Sequence, residues 1–266
     1  MRLLLIIIIF LFNFTNLCFS QNLSNPIFPA KQSLPDYIGI TLGLGQNFQS
    51  GKMYVECPGC VFEDGVKFGY TIGAFYDSYI NDFLTYGADI NFSNNGIKKS
   101  YIENELIDVV STEISYRESV NIPFRHIADV DISTLNLIPY IQLIPWNFLF
   151  FKVGFGLNLV ASSNLRHDKE LLKNEVILSN GTITKVRLAD TKGNLATIQD
   201  GEFKDLKKFF LTINPSVGFN IPFDSKRNVV FSPWLMYSFP LSDISKNGEA
   251  FKINQWIILF SLSFKL

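Results

Sequence analysis

The sequence predicts an all-β chain that closes into an eight-stranded antiparallel barrel and spans a membrane, and three observations predict it. Large apolar residues recur at every second position in eight separate runs, the period of a strand, whose side chains leave alternate faces. The chain is 47% hydrophobic and 15% aromatic with a positive mean hydropathy. Yet beyond the N-terminus no stretch approaches the about 20 consecutive apolar residues of a spanning helix, and a closed barrel is the other way to satisfy the backbone in lipid. The connections between the runs, finally, alternate in length.

The clearest pair of runs occupies residues 135–159. Leu135, Leu137, Pro139, Ile141 and Leu143 share one face, with Thr134, Asn136, Tyr140 and Gln142 opposite. After Pro145-Trp146-Asn147, the second run sets Leu149, Phe151, Val153, Phe155, Leu157 and Leu159 against Lys152, Gly154, Gly156 and Asn158. A wall of large apolar groups backed by small and polar ones suits lipid outside and a tight interior.

The other runs follow the same rule. The first puts Ile38, Ile40, Leu42 and Leu44 out, and Gly39, Thr41, Gly43 and Gly45 in. The second and third turn Phe68 to Tyr76 and Leu84 to Phe92 outward at alternate positions, with Lys67 and Asp89 on their inner faces. The sixth has Leu211, Ile213, Pro215, Val217, Phe219 and Ile221 outside; the seventh has Val229, Phe231, Leu235, Tyr237 and Phe239. Trp256, Ile258, Phe260, Leu262 and Phe264 form the outer face of the eighth. Prolines 139, 215 and 233 count against these strands, because proline removes a ladder donor.

The connections are 46–65, 77–82, 93–131, 145–147, 161–208, 222–228 and 240–253: long, short, long, short, long, short and medium. Bacterial outer-membrane barrels show this alternation, with short turns in the periplasm and long loops outside the cell. Residues 112–116 and 119–123 are strand-like pieces that extend neighbouring strands beyond the membrane. Asn180-Gly181, between 176–178 and 182–184, is the signature of a type I′ hairpin.

Residues 1–20 read as a signal peptide: Arg2, an apolar run from Leu3 to Phe12 too short to span, and Cys18-Phe19-Ser20 at the cleavage site. Residues preceding Cys18 lack the small side chains of a lipoprotein site. Residues 21–36 form a periplasmic lead-in, and 37–266 form the barrel.

The chain resembles the eight-stranded outer-membrane barrel families, above all the PorT-like barrels of the Bacteroidetes and their OmpX-like relatives. The resemblance runs from Tyr37 to the C-terminus, and it is carried by the 135–159 hairpin, with Phe150-Phe151-Lys152-Val153-Gly154-Phe155-Gly156, and by the ending 256–266. It implies that Trp256, Ile258, Phe260, Leu262 and Phe264 are the signal read by the barrel-insertion machinery, although Lys265-Leu266 overhang the usual aromatic ending.

The net charge of −1 gives no reason to expect nucleic acid. Cys57 and Cys60 in Glu-Cys-Pro-Gly-Cys are expected to form a local disulfide in an exported chain. A redox-active pair is the sharper alternative, but a barrel lacks the βαβ context for it. Zinc would need two more ligands, and the only histidines, His126 and His167, fall in connections where a histidine is usually solvated. A Ser-His lipid-modifying site would need one of them beside a nucleophile. No cofactor, metal or catalytic residue is therefore expected.

An eight-stranded barrel is just wide enough for its own side chains, so Lys67, Asp89 and Lys152 are expected as interior charges with partners or water. Function is then expected in the long connections, which carry Lys98, Lys99, Glu103, Glu105, Asp168, Lys169, Glu170, Lys207 and Lys208. The sequence-level expectation is a non-enzymatic cell-surface scaffold in the outer membrane, meeting lipid, the assembly machinery and a protein or surface ligand. A narrow pore is the alternative, and a lipid-modifying enzyme ranks behind it.

Overall fold

The computed structural model describes residues 35–55, 57, 59–111, 116–146, 148–188 and 193–266. The expected signal peptide and nearly all of the lead-in lie outside the described residues. Each of the eight predicted runs is a strand: β1 (Asp36–Tyr54), β2 (Val66–Asn81), β3 (Leu84–Asn94), β4 (Tyr116–Trp146), β5 (Leu149–Leu171), β6 (Phe209–Phe219), β7 (Val229–Pro240) and β8 (Glu249–Lys265). Each pairs antiparallel with its sequence neighbours, and β8 pairs with β1 from Tyr37↔Lys265 to Lys52↔Glu249, closing the ring.

The faces follow the period of two. Ile38, Ile40, Leu42 and Leu44 of β1 are exposed, and so are Leu135, Leu137, Ile141 and Leu143 of β4 and Phe151, Val153 and Phe155 of β5. Thr41, Thr71, Thr85, Asn91, Asn136, Asn158, Thr212 and Asn214 are buried inside. A continuous ring of exposed Ile, Leu and Phe far exceeds the apolar patches that water-soluble monomers tolerate, so this belt is the lipid-facing wall. Replacing Phe155, exposed on β5 opposite Ile213, by arginine is expected to lower stability by about 2–4 kcal/mol if it sits at the bilayer midplane. Urea titration of the refolded barrel in vesicles measures this, and an unchanged midpoint would remove Phe155 from the lipid face.

The three prolines are accommodated within the strands. Pro139 and Pro215 project outward, and the ladder skips the pairs around Pro139 on the β4–β5 side and around Pro215 on the β6–β7 side. Each proline therefore costs one local interruption on a single side, while the opposite edges, Pro139↔Ala88 and Pro215↔Val153, keep their register. Pro233 sits in an unbroken β7–β8 register.

The expected long loops are largely strand, which corrects the sequence-level assignment of 93–131 and 161–208 as loops. A strand at Ile97–Ser111 continues β3 along the same edge of β4, from Asn94↔Ser133 to Ile97↔Val130 without a change of register. β5 runs on beside β4 as far as Phe124↔Leu171, and Leu195–Gly201 pairs with its outer edge. The result is a four-stranded extension above the belt. Here the pattern is inverted: Ile122, Phe124, Ala128, Val130 and Ile132 point inward and are buried, while the outward positions carry Arg125, Asp129 and Asp131. Water replaces lipid outside, so the apolar face turns to the core. The predicted hairpin is present as Glu175–Ile177 against Ile183–Lys185, with Gly181 at φ 81°.

The interior is filled in layers. Ile144, Phe150, Trp234, Met236, Ile257 and Leu259 plug the end with the short turns. Gly218 makes room for that plug, since a Cβ there would stand 2.3 Å from the Trp234 Cβ. Polar side chains hold the middle, with Asn136 Nδ2 donating to Asn91 Oδ1 at 2.7 Å and Asn158 Nδ2 to Thr212 Oγ1 at 3.1 Å. A second apolar cluster, including Met53, Phe62, Val130, Leu165, Phe210 and Phe251, closes the other end.

Candidate functional site

Two buried polar clusters stand out, one in the lumen and one in the extension. In the lumen, Lys152 of β5 and Asp89 of β3 are both buried, 3.8 Å apart from Nζ to Oδ2. The ammonium also lies 3.8 Å from the Tyr140 ring centroid and 4.4 Å from that of Trp234, so aromatic faces supply much of its solvation. Tyr140 donates its hydroxyl proton to Asp77. Lys67, the third charge expected inside, sits at the rim, where its Nζ reaches Asp129 at 2.6 Å and Asp131 at 2.7 Å. The expected C-terminal signal residues Trp256, Ile258, Phe260, Leu262 and Phe264 lie along the outer face of β8.

The second cluster corrects the placement of the histidines. His126 and His167 do not sit in solvated loops: they are 2% and 0% exposed, on β4 and β5, facing the same interior. In register His126 stands opposite Lys169, and Ala128 opposite His167, so the two imidazoles are diagonal neighbours across the pair. His126 Nδ1 lies 3.1 Å from His167 Nε2. The other nitrogen of His126, Nε2, lies 3.1 Å from Glu105 Oε1, and Glu105 also takes Lys169 Nζ at 2.5 Å.

Glu105 accepts from the Nε2–H of His126, whose Nδ1 faces Nε2 of His167. The other nitrogen of His167, Nδ1, is buried without a hydrogen-bond partner. Burial and the neighbouring His126 push the His167 pKa down to about 4, so its ring is neutral at physiological pH. Burial alone would raise the Glu105 pKa, but hydrogen bonds from Lys169 and His126 outweigh it and hold the carboxylate below its ordinary value.

Cys57 and Cys60, joined as a disulfide, complete the cluster. They come from the β1–β2 connection, whose Val61–Phe62 turns back onto the end of β1 through the pairs Met53↔Phe62 and Tyr54↔Val61. Gly59 lies between them at φ 85°, a conformation that glycine adopts without strain, and Cys60 N–H closes the turn onto the Cys57 carbonyl at 3.1 Å. Cys60 Sγ lies 3.8 Å from His126 Nδ1. One ligand atom from each of Cys57, Cys60 and His167 falls within 4.8 Å of the others. Tyr101 stacks on His126, and Phe62 stands edge-on to His167, so aromatic rings wall the group off from water.

The sequence does contain the signal for His126, because it shares the inward parity of Phe124, Ala128 and Val130. For His167 it does not. On β5 the inward positions are even up to Asn158 and odd from Leu165, because Ala161 is an extra residue opposite the Ser133–Thr134 step of β4. This bulge inverts the strand's faces and turns His167 in.

No family model matches the chain, and no curated protein matches it. Among solved structures it is similar to the attachment invasion locus protein Ail of Yersinia pestis, seen with the heparin analogue sucrose octasulfate, at 10% identity over 87% of this chain and 100% of that one, with a TM-score of 0.34. Neisserial surface protein A is similar at 10% identity over 86% and 97%, TM-score 0.35. The outer-membrane protease OmpT of Escherichia coli is similar at 7% identity over 91% and 100%, TM-score 0.32. Likeness at this level carries no argument about activity, and the fold stands on the chain's own ladder.

Proposed function

We propose that the protein is a non-enzymatic outer-membrane barrel of the PorT-like or OmpX-like kind, a cell-surface scaffold that holds a rigid β-built platform outside the membrane. The observation that carries this reading is the four-stranded extension, which grows from the lipid-facing wall as a continuation of β4 and β5 and exposes Ile102, Leu106 and Ile198 for contact with a protein or surface ligand. Against a diffusion pore stands the filled lumen, whose cavities measure about 40 Å³ beside Lys152 and Trp234 and about 20 Å³ among Asn91, Asn136 and Asn214. Such volumes hold a few waters and no solute path. Against a lipid-modifying enzyme, the histidine nitrogens meet each other, Glu105 and Cys60 rather than a serine hydroxyl.

The orientation is tested by single cysteines placed in a Cys57→Ser/Cys60→Ser background. Ile102→Cys on the extension is expected to take a membrane-impermeant maleimide on intact cells. Lys226→Cys, in the short turn between β6 and β7, is expected to react only after the outer membrane is permeabilised. The reverse pattern overturns the reading, and steady single-channel conductance in planar bilayers replaces it with the pore.

A further inference from the structure

We propose that Cys57, Cys60, His126 and His167 form a tetrahedral site for a soft divalent metal, zinc above all, at the base of the extension. Beyond Cys18 in the expected signal peptide, the chain has two cysteines and two histidines, and all four converge from three separate segments on one buried point. Two thiolates and two imidazoles are a donor set that selects zinc, and Cys-x2-Cys is the spacing with which one tight turn offers two of them.

The distances decide between a metal site and a chance cluster. Zinc bonds of about 2.0–2.1 Å to nitrogen and about 2.3 Å to sulfur make tetrahedron edges of roughly 3.3–3.8 Å. His126 Nδ1 stands 3.1 Å from His167 Nε2 and 3.8 Å from Cys60 Sγ. One ligand atom from each of Cys57, Cys60 and His167 lies within 4.8 Å of the other two. Once the disulfide opens, rotation of the two cysteine side chains separates the sulfurs and completes the polyhedron.

Two further features are what a metal site needs. Glu105 holds the outer nitrogen of His126, the carboxylate–histidine arrangement that fixes the tautomer of a ligating ring. His167 is fully buried, with Phe62 edge-on to its ring, so water does not compete for it. The disulfide and the metal complex are alternative uses of the same two sulfurs. Binding consumes no electrons: the two cysteines enter as thiols, each gives up its proton to solvent, and two S–metal bonds form beside two N–metal bonds.

The test uses the full mature chain refolded in detergent with a phosphine reductant and titrated with cobalt(II). One cobalt per chain is expected, with the intense d–d absorption of a tetrahedral ion and a thiolate charge-transfer band, both lost when zinc is added. Cys57→Ser/Cys60→Ser is expected to abolish the charge-transfer band, and Glu105→Gln to weaken binding roughly 10–100-fold. Heat-modifiable migration on a gel reports that each variant still forms the barrel. X-ray absorption on the zinc-loaded wild type needs no variant and is expected to show two sulfurs and two nitrogens. A reduced chain without the charge-transfer band, a metal shell lacking either donor type, or undiminished binding in His126→Gln or His167→Gln each overturns the site.

Discussion

A chain cut after Leu259, lacking 260–266, is expected not to enter the membrane at all and to persist only as a degraded or aggregated species. Phe260 to Lys265 pair with Leu42 to Tyr37 on one side, and Phe264 to Phe260 with Val229 to Pro233 on the other. Removing them bares both flanking strands within the lipid belt. Each unsatisfied backbone group there costs several kcal/mol, and a handful of them exceeds the about 5–15 kcal/mol by which a whole domain is usually stable. Phe264 faces outward at the end of this strand, so we expect Phe264→Ser to slow assembly more than it weakens the assembled barrel. Heat-modifiable migration and protease resistance of membrane fractions read both effects. A truncated chain that still inserts and shifts on heating would show that β8 is not the closing element.

The second large effect is expected at Lys152. Substituting Lys152→Met keeps most of the side-chain volume but removes the cation that Asp89 faces in the sealed lumen. An uncompensated buried charge of this kind costs about 3–5 kcal/mol, so a marked loss is expected in urea titrations of the barrel in vesicles. Adding Asp89→Asn to the same chain is expected to return a large part of it, because the orphaned charge is then gone. Equal stability of Lys152→Met and wild type would show that water, rather than Lys152, solvates the carboxylate.

How much of this was legible follows from what lay outside each strand. Within the belt, lipid outside and polar groups inside give a strong contrast at every second position, and β1, β4, β5 and β8 were readable in facing, although each runs on into residues assigned to a connection. Above the belt the contrast reverses, because water lies outside, and the even-numbered apolar residues from Ile122 to Ile132 read as a charged loop rather than as the same strand continuing. The plug was hidden for a related reason: Trp234, Met236, Ile257 and Leu259 are apolar inside an apolar wall, and alternation vanishes when both faces are greasy. The histidine cluster needed the third dimension, since Cys60 and His126 are far apart in sequence and only the ladder brings their strands together.

The extra residue at Ala161 gives β5 something like a reading frame. Below it the strand addresses lipid with one parity, and above it the same parity addresses the protein's own interior. A deletion of that one residue would join 160 to 162 opposite 134 and 133 and leave His167 opposite Ala128, so the step absorbs a unit of chain without passing it on. The membrane anchor and the buried cluster above it can therefore be altered separately, because a residue gained or lost at this step shifts neither.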